Sequence, residues 1–159
     1  MLRSTIALTV LALLLAGCSA FEAFQSAELS LDDTQTQTDA DADVEFVQAR
    51  QSADGRWRFD VTVRHPDTGW EDYADGWDVI LPDGTVLKTD DSDPFTRLLL
   101  HPHENEQPFT RSQGGLVVPP DVTTVTVRAH DLVDGFGGQT VVVDLTQAAG
   151  EGYEVTRAE

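Results

Sequence analysis

The residues of this chain whose types and spacing best suit chemistry are two histidines in the stretch "HPHENEQPFTRS", His101 and His103. In an extended backbone, side chains two positions apart point the same way, so both imidazoles lie on one side with Pro102 between them. Imidazoles at this spacing can bind zinc or copper, and Glu104 and Glu106 are the nearest further ligands. The stretch therefore predicts a candidate metal site at these two histidines and two glutamates.

A second interpretation of the same stretch is a structural connection after a strand that carries Leu98 and Leu100. In it a buried Phe109 holds the loop, a glutamate pairs with Arg111, and the imidazoles hydrogen-bond loop carbonyls. Its polar and aromatic side chains then form a candidate interaction loop at Gln107, Phe109 and Arg111. The metal interpretation needs two more ligands from elsewhere in the chain, and the remaining histidines are His65 and His130.

Other chemistries find little support in the sequence. The "GxSxG" turn of nucleophilic hydrolases does not occur, and the glycine clusters lack the spacing of phosphate or dinucleotide loops. "DADAD" has Val44 and Arg50 where a calcium loop needs Gly and Glu, so that site is rejected. "TDDSDP" is typical of a solvated turn. The sequence predicts a protein that is not an enzyme.

The composition is strongly acidic, with 28 acidic residues against 10 Lys and Arg and a net charge of -18. A surface of this sign repels phosphate backbones, so nucleic acid is excluded as a partner. Three explanations of the acidity stay open: a saline habitat, cation-binding loops, and solubility.

The amino terminus predicts export. One positive charge at Arg3 precedes an apolar run over residues 6–16, which is shorter than the roughly 20 residues of a membrane span and is typical of a signal peptide. "LAGC" at its end resembles the bacterial lipobox, and Cys18 is the only cysteine. The resemblance implies cleavage after residue 17, lipid on Cys18 and a membrane anchor. Ser19, where aspartate would retain a lipoprotein at the inner membrane, implies the outer membrane, facing the periplasm.

Residues 18–43 are nearly all small or polar after the first few, which predicts an acidic tether. The apolar residues then alternate with polar ones, as in "WRFDVTVR", "GWDVILPDGTVL" and "VTVRAH", and turn residues separate these runs. The pattern predicts an immunoglobulin-like antiparallel β-sandwich of about seven strands over residues 44–146, with a closed barrel as the alternative. Residues 147–159 are predicted to be a polar tail.

Four stretches of the domain, from about Gly55 to Leu145, resemble a group of small bacterial envelope proteins of unassigned function that share "HPHxxEQPFTRS". In that group histidine tends to stand at the positions of Asp72 and Asp134, which makes these two aspartates further candidate ligands. The resulting functional hypothesis is a membrane-anchored, non-catalytic binding or structural module that acts on an envelope protein or ligand and needs no cofactor. The alternative hypothesis is a periplasmic metal-binding protein that uses His101 and His103.

Overall fold

Period-two alternation of apolar and polar residues produces the strands of this domain. The computed structural model describes residues 41–158, and these contain nine strands and no helix. The strands are β1 (Asp43–Gln51), β2 (Trp57–Arg64), β3 (Ala74–Ile80), β4 (Arg97–Leu98), β5 (Phe109–Leu116), β6 (Thr124–Asp131), β7 (Val141–Asp144), β8 (Ala149–Gly150) and β9 (Tyr153–Arg157). They form two sheets, with the orders β5-β2-β1-β9-β8 and β4-β3-β6-β7.

The first seven strands follow a Greek-key order of the kind found in immunoglobulin-like sandwiches. Strands β1, β2 and β5 lie in one sheet, while β3, β4, β6 and β7 lie in the other. All pairings are antiparallel except that of β1 with β9. The predicted all-β sandwich is therefore confirmed.

The inward faces of both sheets share one apolar core. Phe59 and Val61 of β2 and Trp77 and Val79 of β3 are fully buried, and Val127 of β6 packs in the same cluster. Burying such side chains stabilises the fold by about 1.5–3 kcal/mol each relative to leaving them exposed. The alternation read from the sequence therefore assigns these side chains to the correct face.

The carboxyl-terminal region differs from the predicted polar tail. It contains β8 and β9, and Tyr153 and Val155 of β9 are buried in the core. Strand β9 pairs in parallel with β1 from Val47 to Gln51. Five alternating residues between polar neighbours are too short a signal to identify a strand from sequence. Tyr153 and Val155 are buried because β9 pairs with the edge of β1. The sandwich has nine strands rather than about seven for this reason.

The first strand begins at Asp43, and the domain was predicted to begin at residue 44. Ala42 is already buried, and the backbone N–H of Val44 donates to the carbonyl of Gln139 at 2.8 Å. The signal peptide, Cys18 and most of the tether lie outside the described residues. Within residues 41–158, no helix is long and apolar enough to cross a membrane.

Candidate functional site

Three connections meet at one end of the sandwich: residues 65–73 between β2 and β3, 99–108 between β4 and β5, and 132–140 between β6 and β7. Hydrogen bonds join them. Gln107 Oε1 accepts the N–H of His65 at 3.0 Å, and the carbonyl of Tyr73 accepts the N–H of Leu132 at 3.1 Å. We call this region the loop end. It brings together residues that are far apart in the sequence.

At the centre of the loop end lies His65, which is 1% exposed. Its Nδ1 is 2.7 Å from Asp67 Oδ1, and its Nε2 is 3.0 Å from Asp131 Oδ2. A third carboxylate, that of Asp72, approaches with Oδ1 at 3.8 Å from Nε2. One imidazole is thus surrounded by three carboxylates, and the side chains of Asp67 and Asp131 are fully buried.

The carboxylate of Asp67 is held in place by several donors. It accepts the N–H of Ala74 at 3.2 Å and the N–H of His103 at 2.5 Å, in addition to His65. Burial acts to raise the pKa of Asp67, whereas these hydrogen bonds act to lower it. The lowering prevails, so the pKa lies below the ordinary value of 3.8 and Asp67 is ionised at neutral pH. Since a carboxylate only accepts, Nδ1 of His65 carries the proton in that hydrogen bond.

The donor atoms of His65, Asp72 and Asp131 all lie within 4.8 Å of one another, which is the spacing of a group able to hold a metal ion. The predicted set of His101, His103, Glu104 and Glu106 does not converge in this way within residues 41–158. His65 and Asp72, which the sequence analysis considered as further ligands, belong to the group that does converge. The rings of His101 and His103 do lie side by side, with centroids 4.5 Å apart, but Glu106 pairs with Arg111 and the glutamates do not complete a ligand group with them in the described residues.

The two predicted histidines have different surroundings. His103 is 4% exposed and stacks on Phe109 with ring centroids 3.7 Å apart. Burial, followed by the charges of Arg111 and His101, lowers the pKa of His103 below its ordinary 6.5, so the ring is neutral at pH 7. Neither of its ring nitrogens has a hydrogen-bond partner in the described part of the chain. His101 is exposed, with Nδ1 3.1 Å from the carbonyl of Pro102.

Other predicted residues form structural contacts. Arg111 pairs with Glu106 at 2.9 Å, as the structural interpretation of the loop expects, while Glu104 is exposed. His130 pairs with Asp75 at 2.6 Å on the outer face of its sheet. Asp134 is exposed and lies outside the converging group.

The predicted interaction loop is only partly available for contact. Phe109 is 1% exposed, and Gln107 is committed to the backbone of His65. Only Arg111 of the three lines an open cleft of about 110 Å³ beside His101 and His103. The exposed large apolar side chains of the loop end come instead from all three connections: Trp70, Leu100, Leu132, Val133 and Phe136.

The sequence contains a signal for the buried network in the alternation of two strands. The inward alternation of β2 through Val61 and Val63 continues to His65, and that of β6 through Val127 and Ala129 continues to Asp131. A polar residue at an inward position must find a partner there, because an unpaired buried polar group is costly. Extending the alternation to the strand ends would have identified both residues.

No protein-family model matches the chain, and no solved structure matches it. Over 120 residues the chain is 44% identical to a protein of Halomicrobium mukohataei named "Putative lipoprotein". The match covers 74% of this chain and 55% of that protein. The chain therefore spans about half the length of the curated relative that it matches.

Proposed function

We propose that the chain is a cell-envelope lipoprotein that is anchored through lipid on Cys18 and carries a non-catalytic binding or structural module. The observation that carries the proposal is its 44% identity to a protein named as a lipoprotein. The sequence "LAGC" supports it independently, because it places the only cysteine where lipid attachment would occur. Several acyl chains, at about 0.8 kcal/mol for each buried methylene, would hold the protein at a membrane.

The loop end is the surface that we assign to binding. In immunoglobulin variable domains, loops at one end of the sandwich contact the ligand. Here the corresponding connections expose Trp70, Leu100 and Val133, which are 64%, 71% and 62% accessible. Clustered exposed apolar side chains favour protein contact, while scattered ones do not. Hydrogen bonds among the three connections, including those of Asp67 with the backbone of His103 and of Asp131 with the backbone of Val133, position them relative to one another.

The anchor is tested by comparing the full chain with Cys18→Ala in the native host. The full chain should sediment with membranes, partition into the detergent phase of Triton X-114 and carry acyl mass on Cys18. The variant should lose all three properties, whereas Ser19→Ala should keep them. A wild-type protein found free of lipid in the aqueous phase would exclude the anchor.

The proposal also specifies which membrane holds the protein. In a cell with two membranes, Ser19 would permit transfer to the outer membrane, facing the periplasm. A density gradient should then place wild-type protein with the outer membrane and Ser19→Asp with the inner one. If both proteins sediment together, residue 19 does not determine the location.

The binding surface is tested by photo-crosslinking in cells. A photoreactive residue at position 100 should give a discrete adduct, while the same residue at position 117, which is also exposed and follows β5 at the other end, should not. Equal adducts at both positions, or none at position 100, would remove the loop end from the proposal.

A further inference from the structure

The His65 network contains more negative charge than its hydrogen bonds explain. Two carboxylates with fully buried side chains, Asp67 and Asp131, contact one imidazole that is also buried. Burying an ion without a compensating charge costs several kcal/mol even after relaxation. A proton or a metal ion at the centre of the cluster would supply this compensation.

The position of that cation follows from the protons. Nδ1 of His65 uses its hydrogen in the bond to Asp67. A neutral imidazole then directs the lone pair of Nε2 at Asp131 Oδ2, only 3.0 Å away, so that two acceptors face each other. A proton on either of these two atoms, or a metal ion between them, resolves the contact.

The spacing of the donors fits a metal ion. Bonds of about 2.0–2.1 Å in a tetrahedral zinc site place neighbouring ligand atoms about 3.4 Å apart. Nε2 of His65 lies 3.0 Å from Asp131 and 3.8 Å from Asp72, on either side of that value. The side chain of Asp72 is 38% exposed, so this carboxylate contacts solvent while His65 and Asp131 are buried.

The surrounding hydrogen bonds are those that metal sites use to orient a histidine. A ligating imidazole usually donates its other N–H to a carboxylate, which selects the tautomer and raises the basicity of the ligand. Asp67 has this position, and the backbone N–H groups of Ala74 and His103 hold it. The "HPH" motif thus contributes through the backbone of His103 and not through its ring.

We propose that His65 Nε2, Asp72 Oδ1 and Asp131 Oδ2 bind one divalent transition-metal ion, with Zn²⁺ preferred and Asp67 as the positioning residue. A nitrogen donor disfavours Ca²⁺ and Mg²⁺, which take oxygen ligands. Three protein ligands with an open position are typical of a zinc site that also accepts water or an external ligand. This site shares no residue with the paired histidines and does not depend on the lipid anchor.

The test is calorimetric titration of chelator-treated, full-length protein in detergent with ZnCl₂. Excess Ca²⁺ and Mg²⁺ are present to occupy the acidic surface. Wild-type protein should bind one zinc ion per chain. Asp72→Asn should weaken binding at least 10-fold, and Glu71→Gln, which removes the same charge from the exposed neighbour, should bind as the wild type does. Asp67→Asn should weaken binding roughly 10–100-fold.

A second measurement distinguishes a bound metal ion from a proton at the contact between His65 Nε2 and Asp131 Oδ2. Cobalt added to the protein should give visible d–d absorption that zinc abolishes and that Asp72→Asn lacks. Circular dichroism checks that each variant is folded, and Asp72→Asn should pass because its side chain is partly exposed. The proposal is overturned if Asp72→Asn binds zinc as tightly as Glu71→Gln does. It is equally overturned if nitrogen NMR shows hydrogens on both ring nitrogens of His65 at pH 7 with excess zinc.

Discussion

His65, His103 and Asp131 occupy positions where an apolar residue would cost less to bury. Each lies at the end of a strand or in a loop at the same end of the sandwich, and each is less than 5% exposed. His65 contacts both Asp67 and Asp131. His103 stacks on Phe109, lies beside the ring of His101 and has Nδ1 3.8 Å from Asp67 Oδ2. Its burial nevertheless prevails and lowers its pKa, which disfavours the protonated ring.

Acid should therefore destabilise the domain through His103. Its pKa is lowered in the folded state, so the unfolded chain binds this proton at a higher pH than the folded chain does. The stability contributed by the neutral ring is present above the ordinary pKa of 6.5 and is lost as pH falls below it. The urea midpoint should fall from about pH 7.5 to about pH 5.5, and it should fall less in His103→Phe, which keeps the ring stack. His101→Phe, at an exposed position, should retain the wild-type profile. A His103→Phe profile parallel to that of the wild type would contradict this origin.

At the scale of elements, β9 is a strand that the sequence patterns did not predict. It completes the sheet beside β1. It hydrogen-bonds along β1 and places Tyr153 and Val155 in the core. Arg157 extends the attachment by donating to the carbonyl of Leu145 at 2.9 Å and to Gln51. Without β9, an edge of β1 would be unpaired, and such edges promote aggregation.

Substitutions on the two faces of β9 should have unequal effects. Val155→Asp buries a charge without a partner and should lower the free energy of unfolding by on the order of 3 kcal/mol or more. Thr156→Asp introduces the same charge on the exposed face and should change it by about 0.5 kcal/mol or less. Urea unfolding followed by tryptophan fluorescence measures both, and light scattering reports aggregation. Equal midpoints would mean that β9 does not stabilise the domain.

At the scale of the whole molecule, the net charge of -18 on 159 residues opposes compaction by self-repulsion. Ion pairs such as Arg128 with Asp78 and Arg50 with Asp60 offset only a small part, because acids outnumber bases almost threefold. Screening by salt should reduce the self-repulsion that the ion pairs do not offset. A saline habitat therefore stays a physically coherent explanation of the composition.

Stability should consequently rise with ionic strength. The Debye length falls from about 30 Å at 0.01 M to about 10 Å at 0.1 M and about 3 Å at 1 M. The urea midpoint should increase most steeply over the first part of this range, where screening changes most. A neutral osmolyte at matched osmolality should not reproduce the steep increase of the urea midpoint at low salt. A midpoint that is constant or falls between about 0.01 and 0.1 M salt would show that self-repulsion is unimportant.

Local periodicity was sufficient to predict β2, β3 and β6 and their inward faces. Alternation along β2, β3 and β6 assigns Phe59, Trp77 and Val127 to the core, because a strand directs successive side chains to opposite faces whatever its partners are. The same information yields an all-β sandwich. The signal peptide and the lipid on Cys18 stay predictions from patterns that are likewise continuous in the chain.

Only the tertiary structure determined the site. The spacing of His101 and His103 predicted that the two rings lie side by side, and they do, but packing brings no third ligand to them in the described residues. His65 and Asp131 are 66 positions apart and meet at 3.0 Å because strand order brings the ends of β2 and β6 to the same end of the sandwich. Contacts between distant residues depend on strand order and loop closure, which local alternation does not encode.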